Sequence, residues 1–253
     1  MTTAMANRML RPASGPLGVR HALMVYVAPR SLFNRVEDTG AYGFALLTLL
    51  GLVMLIGYAK VQTGLVDRDV DVATEKQLGE LESNQKNLVD RVQLKEAMEG
   101  VRKQAVFSKT ITRIGVIGLQ PAYLLGSFLL IASVLYAMVA LTGRKPEYHT
   151  LMSICVYAGF IELTGYIVEL LMMLYYRSTD VTTSLAGLGS GVTAKVLEGV
   201  DPFRIWFWVL VTVGLIVTQQ LSRRMAVVAS TLLCLTGIGV HAGVAFASGG
   251  GNG

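Results

Sequence analysis

Residues 42–59, 115–142, 205–221 and 225–247 contain no Asp, Glu, Lys or Arg, and a further window, 151–176, is interrupted only by Glu162 and Glu169. A helix needs roughly 20 apolar residues, and at least about 17, to cross some 30 Å of hydrocarbon with its backbone polar groups satisfied internally. Five such windows predict an all-α integral membrane protein with five transmembrane helices. Composition agrees: of 253 residues 53% are hydrophobic and only 15% charged, against about a quarter charged in soluble domains.

The windows divide the chain into a cytoplasmic N-terminal segment, 1–41, a five-span membrane domain, 42–247, and a C-terminal tail, 248–253. Within the membrane domain, residues 65–113 form an extracytoplasmic insertion between the first and second spans. A cleaved signal peptide is not expected, because the first apolar window opens only at residue 42 and no small-residue cleavage pattern follows it. Cys155 and Cys234 both lie inside spans, as small packing residues rather than a disulfide.

Lysine and arginine beside the spans set the orientation. Arg8, Arg11, Arg20, Arg30 and Arg35 precede the first span, Arg144 and Lys145 follow the second, and Arg223 and Arg224 follow the fourth. All three groups place the N-terminus in the cytoplasm and the C-terminus outside, in the inner (plasma) membrane. The 65–113 insertion carries both signs in balance and does not contest this. The net charge of +5 is accounted for by these flanks, so the partner is the lipid bilayer and not nucleic acid. Asp201 is placed to cap the fourth helix and Pro202 to start it, while Trp206 and Trp208 mark its outer end.

The order Asp201-Pro202-Phe203, Trp206, Gly214-Leu215, Ser222-Arg223-Arg224 and Ala226 resembles the final helical hairpin of the Yip1 family, especially its prokaryotic branch. Ala28-Pro29-Arg30-Ser31-Leu32-Phe33 is similar to that family's proline-plus-aromatic lead-in. Leu141-Thr142-Gly143 followed by residues 148–157 is similar to its connection between the second and third spans. The resemblance covers roughly residues 29–246, with one departure: the third span reads YAGFIELTGYIVELLMM where a proline is expected. It implies five spans with a cytoplasmic N-terminus and no shared catalytic residue or cofactor. It also implies an interaction or scaffold protein: eukaryotic relatives serve membrane traffic and contact Rab-type GTPases, and some prokaryotic ones accompany ABC-type export systems as accessory subunits.

Three features point to sites. In the insertion, Leu78, Leu81, Leu88 and Val92, then Leu94, Met98, Val101 and Ala105, recur at helical spacing. They predict two amphipathic helices, or one with a break near 90–93, whose stripe either packs on the protein's own surface or headgroups, or docks an extracytoplasmic protein partner. Glu162 and Glu169 lie seven residues apart, on one helical face. Intramembrane carboxylates face the bundle or a wet cavity. They either bond to Thr164, Thr212 or His241, or line a transport path. Third, Leu32, Phe33 and Val36 form one side of a short helix capped by Ser31, a candidate interfacial helix or a plain lead-in.

Enzyme signals fail on inspection. The run AGLGSGVTAK, 186–195, lacks P-loop spacing and is expected to be a loop; H-E-x-x-H, G-x-S-x-G and paired Cys motifs do not occur. The chain is therefore expected to be a non-enzymatic membrane adaptor that assembles or regulates a complex, without cofactor or metal. Its contact surfaces are the insertion stripe and the small-residue faces Ala122/Gly126, Ser133/Ala137 and Gly239/Gly243. The alternative is a small transporter or channel with Glu162 and Glu169 lining the path.

Overall fold

A computed structural model of the chain describes residues 19–39, 42–85, 91–189, 192–218 and 220–249. Among these residues all regular structure is helical, without a strand. In order come α1 (Val19–Val27), α2 (Pro29–Thr39), α3 (Gly43–Gln62), α4 (Leu65–Gln85), α5 (Arg91–Ile114), a π-helical turn (Gly115–Leu119) and α6 (Gln120–Leu141). They are followed by α7 (Tyr148–Tyr176), a 3₁₀ turn (Leu185–Leu188), α8 (Val192–Glu198), α9 (Pro202–Val217) and α10 (Arg223–Gly249).

Among the described residues four helices are long and apolar enough to cross a membrane: Gly43–Gln62, Leu94–Leu141, Tyr148–Tyr176 and Arg223–Val240. The second runs unbroken from α5 through the π turn into α6. Its 48 residues are more than twice the roughly 20 that one span requires. The π turn has a local cause. Pro121 has no N–H to give to the carbonyl four residues back and its ring crowds that carbonyl, so the preceding turn widens.

The predicted fourth window, 205–221, is only partly helical. Asp201 caps α9 as expected, accepting from the N–H groups of Phe203 at 2.7 Å and Arg204 at 3.2 Å, with Pro202 in the first turn. The helix ends at Val217: Thr218 still gives its N–H (2.9 Å) and hydroxyl (2.8 Å) to the Gly214 carbonyl, but its ψ of 6° turns the chain out of the helix. The result is 16 residues, about 24 Å. Arg223 and Arg224, expected to close this helix, instead open α10, which packs against it.

The chain divides into two compact units. The first comprises the described residues of Met1–Leu50, Leu125–Gly165 and Thr182–Gly253. At its centre is the first part of α7, where every residue from 151 to 161 is buried. A stretch apolar on all sides is enclosed by other helices rather than facing lipid on one. Tyr26 of α1 donates its hydroxyl to the Phe160 carbonyl at 2.6 Å. Gly214 of α9 lies so close to α7 that a Cβ there would stand 2.6 Å from Ile154 Cγ2. Phe128 of α6 stacks on Phe207 of α9, with ring centroids 6.2 Å apart.

Two local expectations are corrected in this unit. Helix α2 begins at Pro29, whose fixed φ suits a first turn, so Ser31 lies inside the helix and does not cap it. Its apolar side, Leu32, Phe33 and Val36, is completely buried, and α2 packs on α1 and α9. The glycine-rich run is also not simply a loop: Ser184 caps the 3₁₀ turn, and α8 packs against that turn and α10. Cys155 is buried and Cys234 half-buried, both as free thiols.

The second unit, Gly51–Leu124 with Tyr166–Val181, is built on the antiparallel pairing of α4 and α5.

Candidate functional site

The stripe in the insertion is the seam of the α4–α5 pair. Leu78 and Leu81 on α4 and Leu94, Met98, Val101 and Ala105 on α5 are all half-buried, as expected where two amphipathic helices cover each other. Leu88 and the side chain of Val92 lie outside the described residues. Ion pairs fix the register near the start of α4. Arg113 binds both carboxylate oxygens of Asp67, and Lys109 reaches Asp71 at 2.7 Å. Each rung moves four residues up one helix and four down the other. The Arg113 guanidinium, chiefly through its hydrogen bond, holds the Asp67 carboxyl below its usual value. The hydroxyl of Thr179 closes on Asp69 beside them.

Balanced over its whole length, the insertion is divided by helix. Asp67, Asp69, Asp71, Glu75, Glu80 and Glu82 outnumber Arg68 and Lys76 on α4, whereas Lys95, Arg102, Lys103, Lys109 and Arg113 outnumber Glu96 and Glu99 on α5. Opposite net charges favour the pairing and discourage α5 from pairing with a copy of itself. The seam is incompletely filled. Between the helices runs a groove of about 490 Å³ lined by small and polar side chains, among them Ala73, Thr74, Gln104, Ala105 and Ser108. A groove between two paired helices has a shape that can receive another helix.

Below the hairpin is a cluster that sequence inspection missed. Lys60, one residue past the first apolar window, is buried and forms a 3.0 Å ion pair with Glu169 of α7. Its ammonium also stands 6.0 Å from the Tyr166 ring centroid, at the outer limit of a cation–π contact. Three residues before Lys60, Gly57 meets the π turn: a Cβ on Gly57 would lie 2.6 Å from the Val116 carbonyl oxygen and 3.2 Å from Ile117 Cα. Only a residue without a side chain lets α3 approach backbone so closely.

Glu162, in the other unit, is half-buried, within electrostatic reach of Arg204 and Asp201 at the start of α9. The hydroxyls expected to serve the two glutamates are engaged elsewhere. Thr164 bonds to Tyr26 at 2.6 Å and to the Phe160 carbonyl at 3.3 Å, and Thr212 donates to the Trp208 carbonyl at 2.8 Å. The His241 side chain lies outside the described residues. Among the described residues no group of three His, Cys, Asp or Glu side chains is arranged to hold a metal.

The small-residue pairs take no part in the closest internal contacts. Ala122, Ser133 and Ala137 are exposed, and a Cβ on Gly126, Gly239 or Gly243 would meet nothing within 4 Å. These faces are open to lipid or to a partner's helix.

Comparison with known proteins gives two findings. Residues 23–244 match the family described as the Yip1 domain. The chain is similar to membrane protein YknW of Bacillus subtilis (strain 168), 31% identical over 133 residues, a match covering 49% of this chain and 55% of that protein. The chain thus spans about half the length of this curated relative. No solved structure matches.

Proposed function

The chain belongs to the Yip1 domain family, and on that premise we propose that it is a non-enzymatic adaptor or scaffold that assembles or regulates a membrane protein complex. An ABC-type export system is the class of complex to test first. The observation that carries this reading is the α4–α5 pair, which continues α6 well beyond the length a bilayer requires and leaves a groove along its seam. A protein whose only function was to span the membrane would need neither. The reading includes five spans, with α9 crossing by means of its flanking residues. It places the N-terminus in the cytoplasm of a plasma-membrane protein and the hairpin outside.

The rival reading, a small transporter with Glu162 and Glu169 along its path, is less well supported. The ion pair with Lys60 gives Glu169 a fixed structural partner, whereas a path carboxylate must exchange partners.

The test is affinity purification in mild detergent of the intact chain and of a form with residues 67–109 replaced by a short flexible linker. The replaced segment excludes Lys60, Glu169 and the Gly57–Val116 contact, so the membrane part keeps its packing. Co-purification of an ABC-type subunit with the intact chain, lost from the shortened one, is the expected result. A folded intact chain that retains nothing specific would refute the adaptor reading. Retained partners with lost flux in the double variant Glu162→Gln, Glu169→Gln would favour the transporter.

A further inference from the structure

The outer face of α5 does not end where the membrane does. Phe107, Ile111 and Ile114 recur at helical spacing and are 67%, 51% and 61% exposed. On α6's side of the π turn the exposed row resumes at Leu119 and Tyr123, 69% and 66% exposed. In an α-helix, residues five apart such as 114 and 119 point about 140° away from each other. The wide i→i+5 turn between them absorbs one extra residue and brings them onto one face. A single apolar strip therefore climbs from the membrane-spanning part of this helix onto α5.

The height of that strip follows from α3. Its 20 residues are about 30 Å long, matching the hydrocarbon layer. Gly57, against which Val116 packs, is about 7.5 Å below the Gln62 end. Moving outward from Val116 by the same rise puts Ile111 at about the hydrocarbon boundary, Phe107 about 6 Å above it and Lys103 about 12 Å above it. The headgroup layer on one side of a bilayer is about 5–7 Å thick. Along the same face the sequence changes character at that level: beyond Phe107 come Lys103, Gly100 and Glu96, all exposed, and Arg102 flanks Lys103.

We propose that this part of α5 is a lipid-headgroup site, in which Phe107 and Ile111 occupy the headgroup–acyl boundary and Lys103 and Arg102 bind phospholipid phosphates of the leaflet from which α4 and α5 project. The occupant is lipid because the strip is continuous with the lipid-facing side of α6 and turns basic just above the headgroup layer, from where the long side chains of Lys103 and Arg102 reach back about 6 Å to the phosphates. Its consequence is mechanical: the contact fixes the depth and tilt of the hairpin and leaves the distal turns and the groove for protein partners.

The test uses the full chain carrying F107W, purified into lipid discs containing phosphatidylglycerol. Its emission is compared with that of the parent, which contains Trp206 and Trp208. Acyl chains brominated near the carbonyl end should remove most of the added signal, chains brominated near the methyl end should remove little, and aqueous iodide should quench weakly. Adding Lys103→Glu and Arg102→Glu should raise quenching by acrylamide several-fold, a neutral quencher whose local concentration the reversed charges do not change. An added signal quenched by iodide but by neither lipid places the strip in water, and one shielded from iodide and both lipids marks a protein contact; either result overturns the proposal. Should F107W not fold, I111W serves in its place, with stronger quenching from both brominated positions expected; iodide quenching without lipid quenching again overturns the proposal.

Discussion

The Lys60–Glu169 pair allows a quantitative test of how the second unit is held. Lys60 exposes 8% of its side chain and Glu169 29%, at 3.0 Å. Removing one partner of a fully buried pair costs about 3–5 kcal/mol, because the charge left behind has no counter-ion. Here the cost is reduced on the Glu169 side, where water reaches the carboxylate. Lys60→Met, which strands that carboxylate, should cost about 1–2 kcal/mol, and Glu169→Leu, which strands the more enclosed ammonium, about 2–4 kcal/mol. The double variant replaces the pair with apolar groups of similar volume and should recover most of the larger loss, giving a coupling of about 2–4 kcal/mol. In a thermal melt of the detergent-solubilised protein at neutral pH, Glu169→Leu should lower Tm by about 4–16 °C, at about 2–4 °C per kcal/mol for a chain of this size. The order of the three variants is the critical result. If the two single losses simply add in the double variant, or if Lys60→Met is the costlier single change, then the pair is solvated and the burial argument is wrong.

Three other perturbations have defined outcomes. Gly57→Ala must displace backbone, since its Cβ would lie 2.6 Å from the Val116 oxygen, and should cost about 1–3 kcal/mol; Gly126→Ala, with nothing within 4 Å, should stay within about 0.5 kcal/mol, both read as Tm. Asp201→Ala removes the cap bonds to Phe203 and Arg204 and should destabilise α9 by about 0.5–2 kcal/mol, measured by the same melt and by faster amide exchange in that helix's first turn. Asp67 is held below its ordinary pKa mainly by its hydrogen bond to Arg113. Its contribution is therefore full above the unfolded carboxylate range and is lost as pH falls through the lowered value, below about pH 4. Proteolysis of the α4–α5 pair should show that acid dependence in the parent and a flatter profile in Asp67→Asn.

The sequence revealed features governed by local chemistry. Charge-free windows mark helices because a bilayer admits no other economical use for them, and Asp201-Pro202 caps α9 because both residues act within one turn. The helical period of Leu78, Leu81, Met98 and Val101 gave two helices, yet period alone could not say which surface covers them, and the covering surface is the other helix. Small residues four apart do not mark the close contacts; the tight approaches use single glycines such as Gly57, Gly159 and Gly214, whose partners are distant in sequence. Lys60 escaped notice because it falls just outside an apolar window, where a lysine reads as a flank; only the fold brings Glu169 to it.

Pro121 is the instance in which a local rule had a distant effect. Inside an apolar helix it reads as a tolerated kink. In the structure the turn before it is π-helical, and that one extra residue rotates everything N-terminal to it. The rotation aligns Ile114 with Leu119 and so joins the exposed faces of α5 and α6. It also presents the Val116 carbonyl to Gly57 and, on the opposite side of α5, leaves Lys109 and Arg113 facing Asp71 and Asp67. Replacing Pro121 with alanine restores the missing N–H and removes the reason for the wide turn. If the turn relaxes to α-helix, α5 must rotate by about 100° relative to the residues just after the turn, and either the α3 contact or the ion-pair register has to be given up. The facing of α5 towards α3 and α4 is thus set by the turn before Pro121, a residue that touches neither the Gly57 contact nor the ion pairs it aligns.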